Sequence, residues 1–252
     1  MKNMEILSHI KVINSDSELA GITQLLKLRK LGVTLHGENA KLNDLFQQIE
    51  KLHSCLRSLS LRIDHPAGPE NHDAGMVVAL CTPPRFLENL NINGLTSGLP
   101  HMFQELHQLA KLTLTETYLK ENALRILGKL HGLCYLRLQR KSYVESELAF
   151  KEGEFQSLMF LLVEGNNISG ISFVIGAAPK LERIVWSFST MEALCGLDHL
   201  SKLKKLELNG NCNLDQVRAT IEAHRNNPVL KHNPHRQHQE NGIAVAASTS
   251  SQ

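Results

Sequence analysis

The chain is short of aromatic residues: eight Phe, three Tyr and one Trp in 252 positions. An aromatic core is therefore excluded, and aliphatic side chains must fill the interior. Long apolar runs are also missing. None approaches the ~20 residues that a helix needs to cross a bilayer, so no membrane span is expected. Charge of one sign is missing too, since Lys+Arg 27 against Asp+Glu 25 leaves a net charge of +2. That balance gives no reason to expect nucleic acid as a partner. Cys55, Cys81, Cys134, Cys195 and Cys212 are odd in number and form no C-x-x-C pair. They argue for reduced thiols and a cytosolic or nuclear compartment, not for a disulfide scaffold. The opening Met1-Lys2-Asn3-Met4-Glu5-Ile6 has no long apolar region and no small-residue cleavage site, so no secretory signal is expected.

Catalytic and cofactor motifs are absent as well. The sequence has no G-x-x-x-x-G-K-[ST] phosphate loop, no strand-borne G-x-G-x-x-G, no G-x-S-x-G elbow and no H-E-x-x-H pair. No enzyme activity and no cofactor are expected. His232-x-x-His235-x-x-His238 has ligand-like spacing, but its surroundings read as a polar tail that happens to hold histidines. Asn167-Ile168-Ser169 matches a glycosylation acceptor, and without a secretory signal it reads as coincidence.

What the chain has is leucine, 42 residues of it, and the leucines recur. The pattern L-x-x-L-x-L, with Ile, Val or Trp allowed in the later slots, starts at residues 7, 28, 56, 87, 109, 133, 158, 181 and 203. The mean interval is 24.5 residues, inside the ~20–29 of leucine-rich repeats. In each repeat the L-x-L pair turns both leucines to one side of a short strand. The intervening residues are enough for the crossover that parallel strands require. One repeat cannot bury its own leucines, whereas stacked repeats share a continuous core.

The expected fold is thus an α/β leucine-rich repeat solenoid, a horseshoe of about nine repeats. Parallel strands line its concave side, and short helices with irregular turns line its convex side. Helical spacing is read in Leu42, Leu45, Phe46, Ile49 and Leu52, in Leu124, Leu127 and Leu130, and in Met191, Leu194, Leu197 and Leu200. Asn213-x-x-Gln216 reads as a cap opening a helix through Val217 and Ile221. The ninth repeat position holds Asn166 and Asn211 in two repeats and a small polar residue such as Thr117 in others, suited to bonding loop backbone. The Pro- and Gly-rich stretch Asp64–Gly75 reads as a surface loop inserted in the third repeat. Residues 1–230 are read as one repeat domain and 231–252 as a disordered polar tail.

The residues flanking each inward pair face the concave side. Across nine strands that set carries seven Lys and Arg against two Glu, more positive than the chain as a whole. The candidate protein-binding residues are Lys111, Thr113, Tyr135, Arg137, Gln139, Phe160, Leu162, Glu164, Arg183, Ser187, Lys205 and Glu207. Aromatic and apolar side chains beside Arg make the composition of a binding hot spot. The competing reading of this set is a solvated sheet face with a chance excess of positive charge.

Three phrases are narrower than the repeat itself: Ile22-Thr-Gln-Leu-Leu-Lys-Leu-Arg-Lys-Leu-Gly-Val33, Ile49-Glu-Lys-Leu-His-Ser-Cys-Leu-Arg-Ser-Leu-Ser-Leu61 and Ala223-His-Arg-Asn-Asn-Pro-Val-Leu-Lys231. With them, residues 1–231 resemble the C-terminal repeat region of plant intracellular disease-resistance proteins of the coiled-coil, nucleotide-binding class. The resemblance implies a cytoplasmic domain whose partners are pathogen effectors, guarded host proteins or the nucleotide-binding domain of a full-length receptor. It also implies regulation of an upstream nucleotide-driven switch. The chain itself carries no phosphate loop, so the resemblance brings it no nucleotide binding; it implies a fragment, a truncated product or a stand-alone regulator. A ubiquitin-ligase substrate adaptor or other scaffold is the alternative, disfavoured because the first repeat begins by about residue 4 and leaves no room for an adaptor-binding motif. An extracellular receptor ectodomain is disfavoured by the lack of paired capping cysteines.

Overall fold

The computed structural model describes residues 3–14, 18–19, 21–37, 41–52, 54–64, 84–96, 98–99 and 101–234. In chain order the strands are β1 (Ile6–Val12), β2 (Lys30–His36), β3 (Ser58–Asp64), β4 (Asn89–Asn93), β5 (Lys111–Thr115) and β6 (Tyr135–Gln139). They continue as β7 (Glu147–Phe150), β8 (Phe160–Glu164), β9 (Gly170–Phe173), β10 (Arg183–Ser187), β11 (Ala193–Cys195), β12 (Lys205–Asn209) and β13 (Val229–Asn233). Ten of them form one parallel sheet in the order β1-β2-β3-β4-β5-β6-β8-β10-β12-β13. The cause is the alternation within each repeat. Leu112 and Leu114, Leu136 and Leu138, and Leu206 and Leu208 are all buried, while their neighbours on the same strands reach the open face.

The far side of the core is built in two ways. Helix α1 (Leu42–Glu50) buries Leu45, Phe46 and Ile49, and α2 (Glu121–Gly128) buries Leu124 and Leu127, as the 3.6-residue spacing requires. Helix α3 (Asp215–Ala223) covers the last repeat with Val217 and Ile221, and the Asp215 N–H donates to Asn213 Oδ1 at 2.9 Å near its start. Between α2 and α3 the helices give way to a second parallel sheet, ordered β11-β9-β7. Its inward residues include Leu148, Phe150, Ile171 and Phe173, and Phe150 stacks on Phe173 with ring centroids 4.8 Å apart.

Four expectations are corrected. Met191, Leu194, Leu197 and Leu200 do not share a helix; they span strand β11 and a single 3-10 turn, Leu197–His199. The first repeat is offset, because Leu7 pairs with Leu31 and Ile10 with Val33, with a bulge between them at which His9 takes φ 63°. A tenth strand, β13, joins β12 in unbroken register from Val229 to Asn233, three residues past the expected domain end at 230. In the seventh repeat it is Asn167, not Asn166, that bonds loop backbone: its Nδ2 donates to Tyr143 O at 2.8 Å. Residues 65–83, which hold most of the expected inserted loop, and 235–252 of the expected tail lie outside the described residues, as do Cys81, His235 and His238.

Candidate functional site

Parallel pairing without slippage from β2 to β13 arranges the open face in three transverse rows. The first runs Lys30, Ser58, Asn89, Lys111, Tyr135, Phe160, Arg183, Lys205. The second runs Gly32, Ser60, Asn91, Thr113, Arg137, Leu162, Val185, Glu207, Lys231. The third runs Thr34, Arg62, Asn93, Thr115, Gln139, Glu164, Ser187, Asn209. All twelve candidate residues stand in these rows on five neighbouring strands, β5, β6, β8, β10 and β12. The repeat spacing alone brings them together from 97 positions of sequence.

At the centre lies a band of rings and cations. Tyr135 and Phe160 pack tilted with centroids 6.0 Å apart. Lys111 Nζ stands 5.3 Å from the Tyr135 centroid, and the guanidinium carbons of Arg137 and Arg183 lie 5.7 and 5.6 Å from the Phe160 centroid. Each contact is a cation–π interaction worth about 0.5–1 kcal/mol at an exposed site. Tyr135 remains 39% exposed, so the band presents apolar surface rather than burying it. Leu162 continues the apolar strip in the second row, and Val185 beside it is buried.

Towards the C-terminal end three cations converge on one carboxylate. Glu207 receives Lys231 Nζ at 3.2 Å, Lys205 Nζ at 3.3 Å and Arg183 at 3.4 Å. Partial burial pushes the Glu207 carboxyl up, but the hydrogen bonds from Lys231 and Lys205 outweigh it and hold the group below the usual carboxylate range. Nearby, Gln139 Nε2 donates to Glu164 Oε2 at 3.2 Å, and Asn209 Nδ2 donates to Ser187 Oγ at 3.1 Å. Lys231 was missed in the sequence because Val229-Leu-Lys-His-Asn233 has one leucine and reads as polar.

Towards the N-terminal end the same face deepens into a groove of about 690 Å³ over β1 to β6. Lys30, Arg62, Lys111 and Arg137 line it among serine, threonine and asparagine side chains, and among the described residues no Asp or Glu does. Thr113 lies on its floor beside Arg137.

The described residues hold no cluster of three His, Cys, Asp or Glu side chains able to bind a metal ion. His232 sits in β13 with its Nε2 2.7 Å from Gly210 O. No helix among the described residues is long and apolar enough to cross a membrane. Cys55, Cys134, Cys195 and Cys212 are free thiols, and burial pushes those of Cys55 and Cys212 up.

A solenoid of parallel strands with an open face rich in exchangeable side chains defines a leucine-rich repeat protein. Residues 1–237 match the family model described as "Leucine-rich repeat region", and the chain belongs to that family. Among curated proteins it is similar to the rice (Oryza sativa subsp. japonica) Disease resistance protein Pik-2, 30% identical over 236 residues, and to Disease resistance protein PIK6-NP, 27% identical over 233 residues. Each match covers 82% of this chain and 22% of the relative, so the chain spans about a fifth of their length. The solved structure of an internalin from Listeria monocytogenes aligns with a TM-score of 0.42 at 13% identity, over 92% of this chain and 82% of that one.

Proposed function

We propose that this chain is the protein-recognition region of a plant disease-resistance protein, acting without catalysis in the cytoplasm. Its docking surface is the central band of the open face. The observation that carries this reading is the Lys111–Tyr135–Phe160 row with Arg137 and Arg183 on either side of the Phe160 ring. Large rings held in place by neighbouring cations lose little freedom on binding, which is what an interface anchor requires. The names of the rice relatives supply the setting of defence. In that setting the partner is a pathogen effector or a guarded host protein, and joined to a nucleotide-binding domain the region regulates that domain's switch.

The test is a photo-crosslinking amino acid placed at Phe160 in plant cells mounting a defence response, with a second placed at Lys129 on the convex side. A protein crosslinked from position 160 and not from 129 is the expected result. Reversing Arg137 and Arg183 to Glu should weaken capture of that protein about tenfold or more while leaving circular dichroism unchanged. A partner whose footprint covers only the convex helices overturns the reading.

A further inference from the structure

The groove over β1 to β6 differs from the C-terminal end of the same face in one respect: three of its four cations have no counter-charge among the described residues. Among the described residues Lys30, Lys111 and Arg137 form no salt bridge to a carboxylate, whereas three cations at the other end of the same face converge on Glu207. Arg62 alone is engaged, by Asp64 at 2.7 Å. The floor between the cations is low, formed by Gly32, Ser60, Asn91 and Thr113 in the second row. Gly32 is hemmed in at one end, since a Cβ there would come within 3.3 Å of the His9 backbone nitrogen at the β1 bulge.

We propose that this groove binds an extended acidic segment of a partner protein, laid across the strands. Lys30 and Lys111 stand in the first row three strand steps apart, and Arg137 follows one strand further in the second row. Four steps at ~4.8 Å span roughly 19 Å, the reach of about six extended residues. Carboxylates spaced along such a segment would meet the three uncompensated cations. The serine, threonine and asparagine side chains between them supply the donors and acceptors that a peptide backbone needs. A nucleic acid fits less well. It carries a phosphate on every nucleotide and gains affinity from a dense run of cations, and the groove's two rings, His9 and Tyr135, stand at opposite ends with no stacking platform between them.

The proposal rests on reading the open face as a docking surface; the groove shares Lys111 and Arg137 with the aromatic band but extends over β2 to β4 and relies on ion pairing, not on rings. Its test needs no natural partner. A fluorescent peptide of about twelve residues alternating Glu and Ser should bind the intact chain saturably, with Kd below ~100 μM at low salt, and weaken as salt rises. The double variant K30E/K111E, at two exposed positions, should raise Kd at least about tenfold with an unchanged melting curve. The double variant K129E/K180E changes net charge equally off the groove and should bind as the parent does. Equal loss in both variants, no saturable binding up to ~500 μM, or tighter binding of a single-stranded oligonucleotide of matched charge each overturns the proposal. Loss of partner capture through Arg137 and Arg183 alone, with peptide binding absent, would sink the groove and leave the band standing.

Discussion

Single side chains in this fold are legible only where their repeat neighbours constrain them. Asn167 shows this. The sequence presents it as a possible glycan acceptor, but its amide is spent inside the molecule, donating to the Tyr143 carbonyl one repeat earlier. Tyr143 is itself buried, and its hydroxyl donates to Glu145 and to the Glu147 carbonyl, both at 3.2 Å. Glu207 is the corresponding case on the open face. Its folded-state pKa lies below the unfolded one, so its ion pairs stabilise the fold fully above about pH 4.5 and lose that contribution as pH falls through the lowered value. The Glu207→Gln variant should therefore be less stable at neutral pH by about 0.5–1 kcal/mol, the usual scale for partly exposed pairs. Chemical denaturation at a series of pH values checks this: the gap between the two proteins should shrink below about pH 4.5 and close as pH falls through the lowered Glu207 value. A gap independent of pH would mean that Glu207 acts by packing and not by charge.

At the scale of the element, most strand positions and the three helical crossovers were readable, and the second sheet was not. The inward pair Leu136–Leu138 is 0% and 1% exposed, so Leu136→Asp places a charge in a core with no partner for it. That substitution should cost at least about 3–5 kcal/mol and unfold the middle repeats, seen as lost ellipticity and melting cooperativity. Retained structure would show the register to be wrong. Eight strands, β2 to β6 and then β8, β10 and β12, follow the leucine pattern because both leucines must point inward for stacking to bury anything. The first strand escaped the pattern because a bulge inserts a residue between Leu7 and Ile10, which spacing alone cannot reveal. The second sheet escaped for a different reason. Its strands are three or four residues long, and Leu194 and Leu197 match a helix template as well as they match the end of a strand. The distinguishing signals were Leu148-x-Phe150 and Ile171-x-Phe173, a period of two with a ring in the second slot. Gly196 closes that sheet. It takes φ 75°, outside the helical region, and a Cβ there would lie 2.0 Å from the Phe173 carbonyl oxygen, so only glycine fits this point.

For the whole molecule, stability is set by nearest neighbours, since each repeat touches only the one before and the one after. Interior strands have a partner on both sides and both their leucines buried. The two ends differ from the interior and from each other. At the C-terminal end β13 pairs in full register with β12, and α3 in the crossover between them adds Val217 and Ile221 to the core. At the N-terminal end β1 has one neighbour and a bulge, Ile6 is 63% exposed, and Leu7 and Ile10 are only half-buried. Met4, Leu7, Ile10, Ile22 and Leu25 line an open apolar depression of about 500 Å³ at this end. At about 1.5–3 kcal/mol for each fully buried aliphatic side chain, two half-buried ones forgo a few kcal/mol that the interior repeats retain. Local opening should therefore begin at β1 and spread inward. Hydrogen exchange on the whole chain measures this directly. Amides of Ile10–Val12 should exchange faster than those of Leu136–Leu138 by a factor of about ten to a hundred or more, one decade for each 1.4 kcal/mol of lost local stability. Equal protection at the two strands in a monomer would show that the bulged edge is held as firmly as the centre of the sheet.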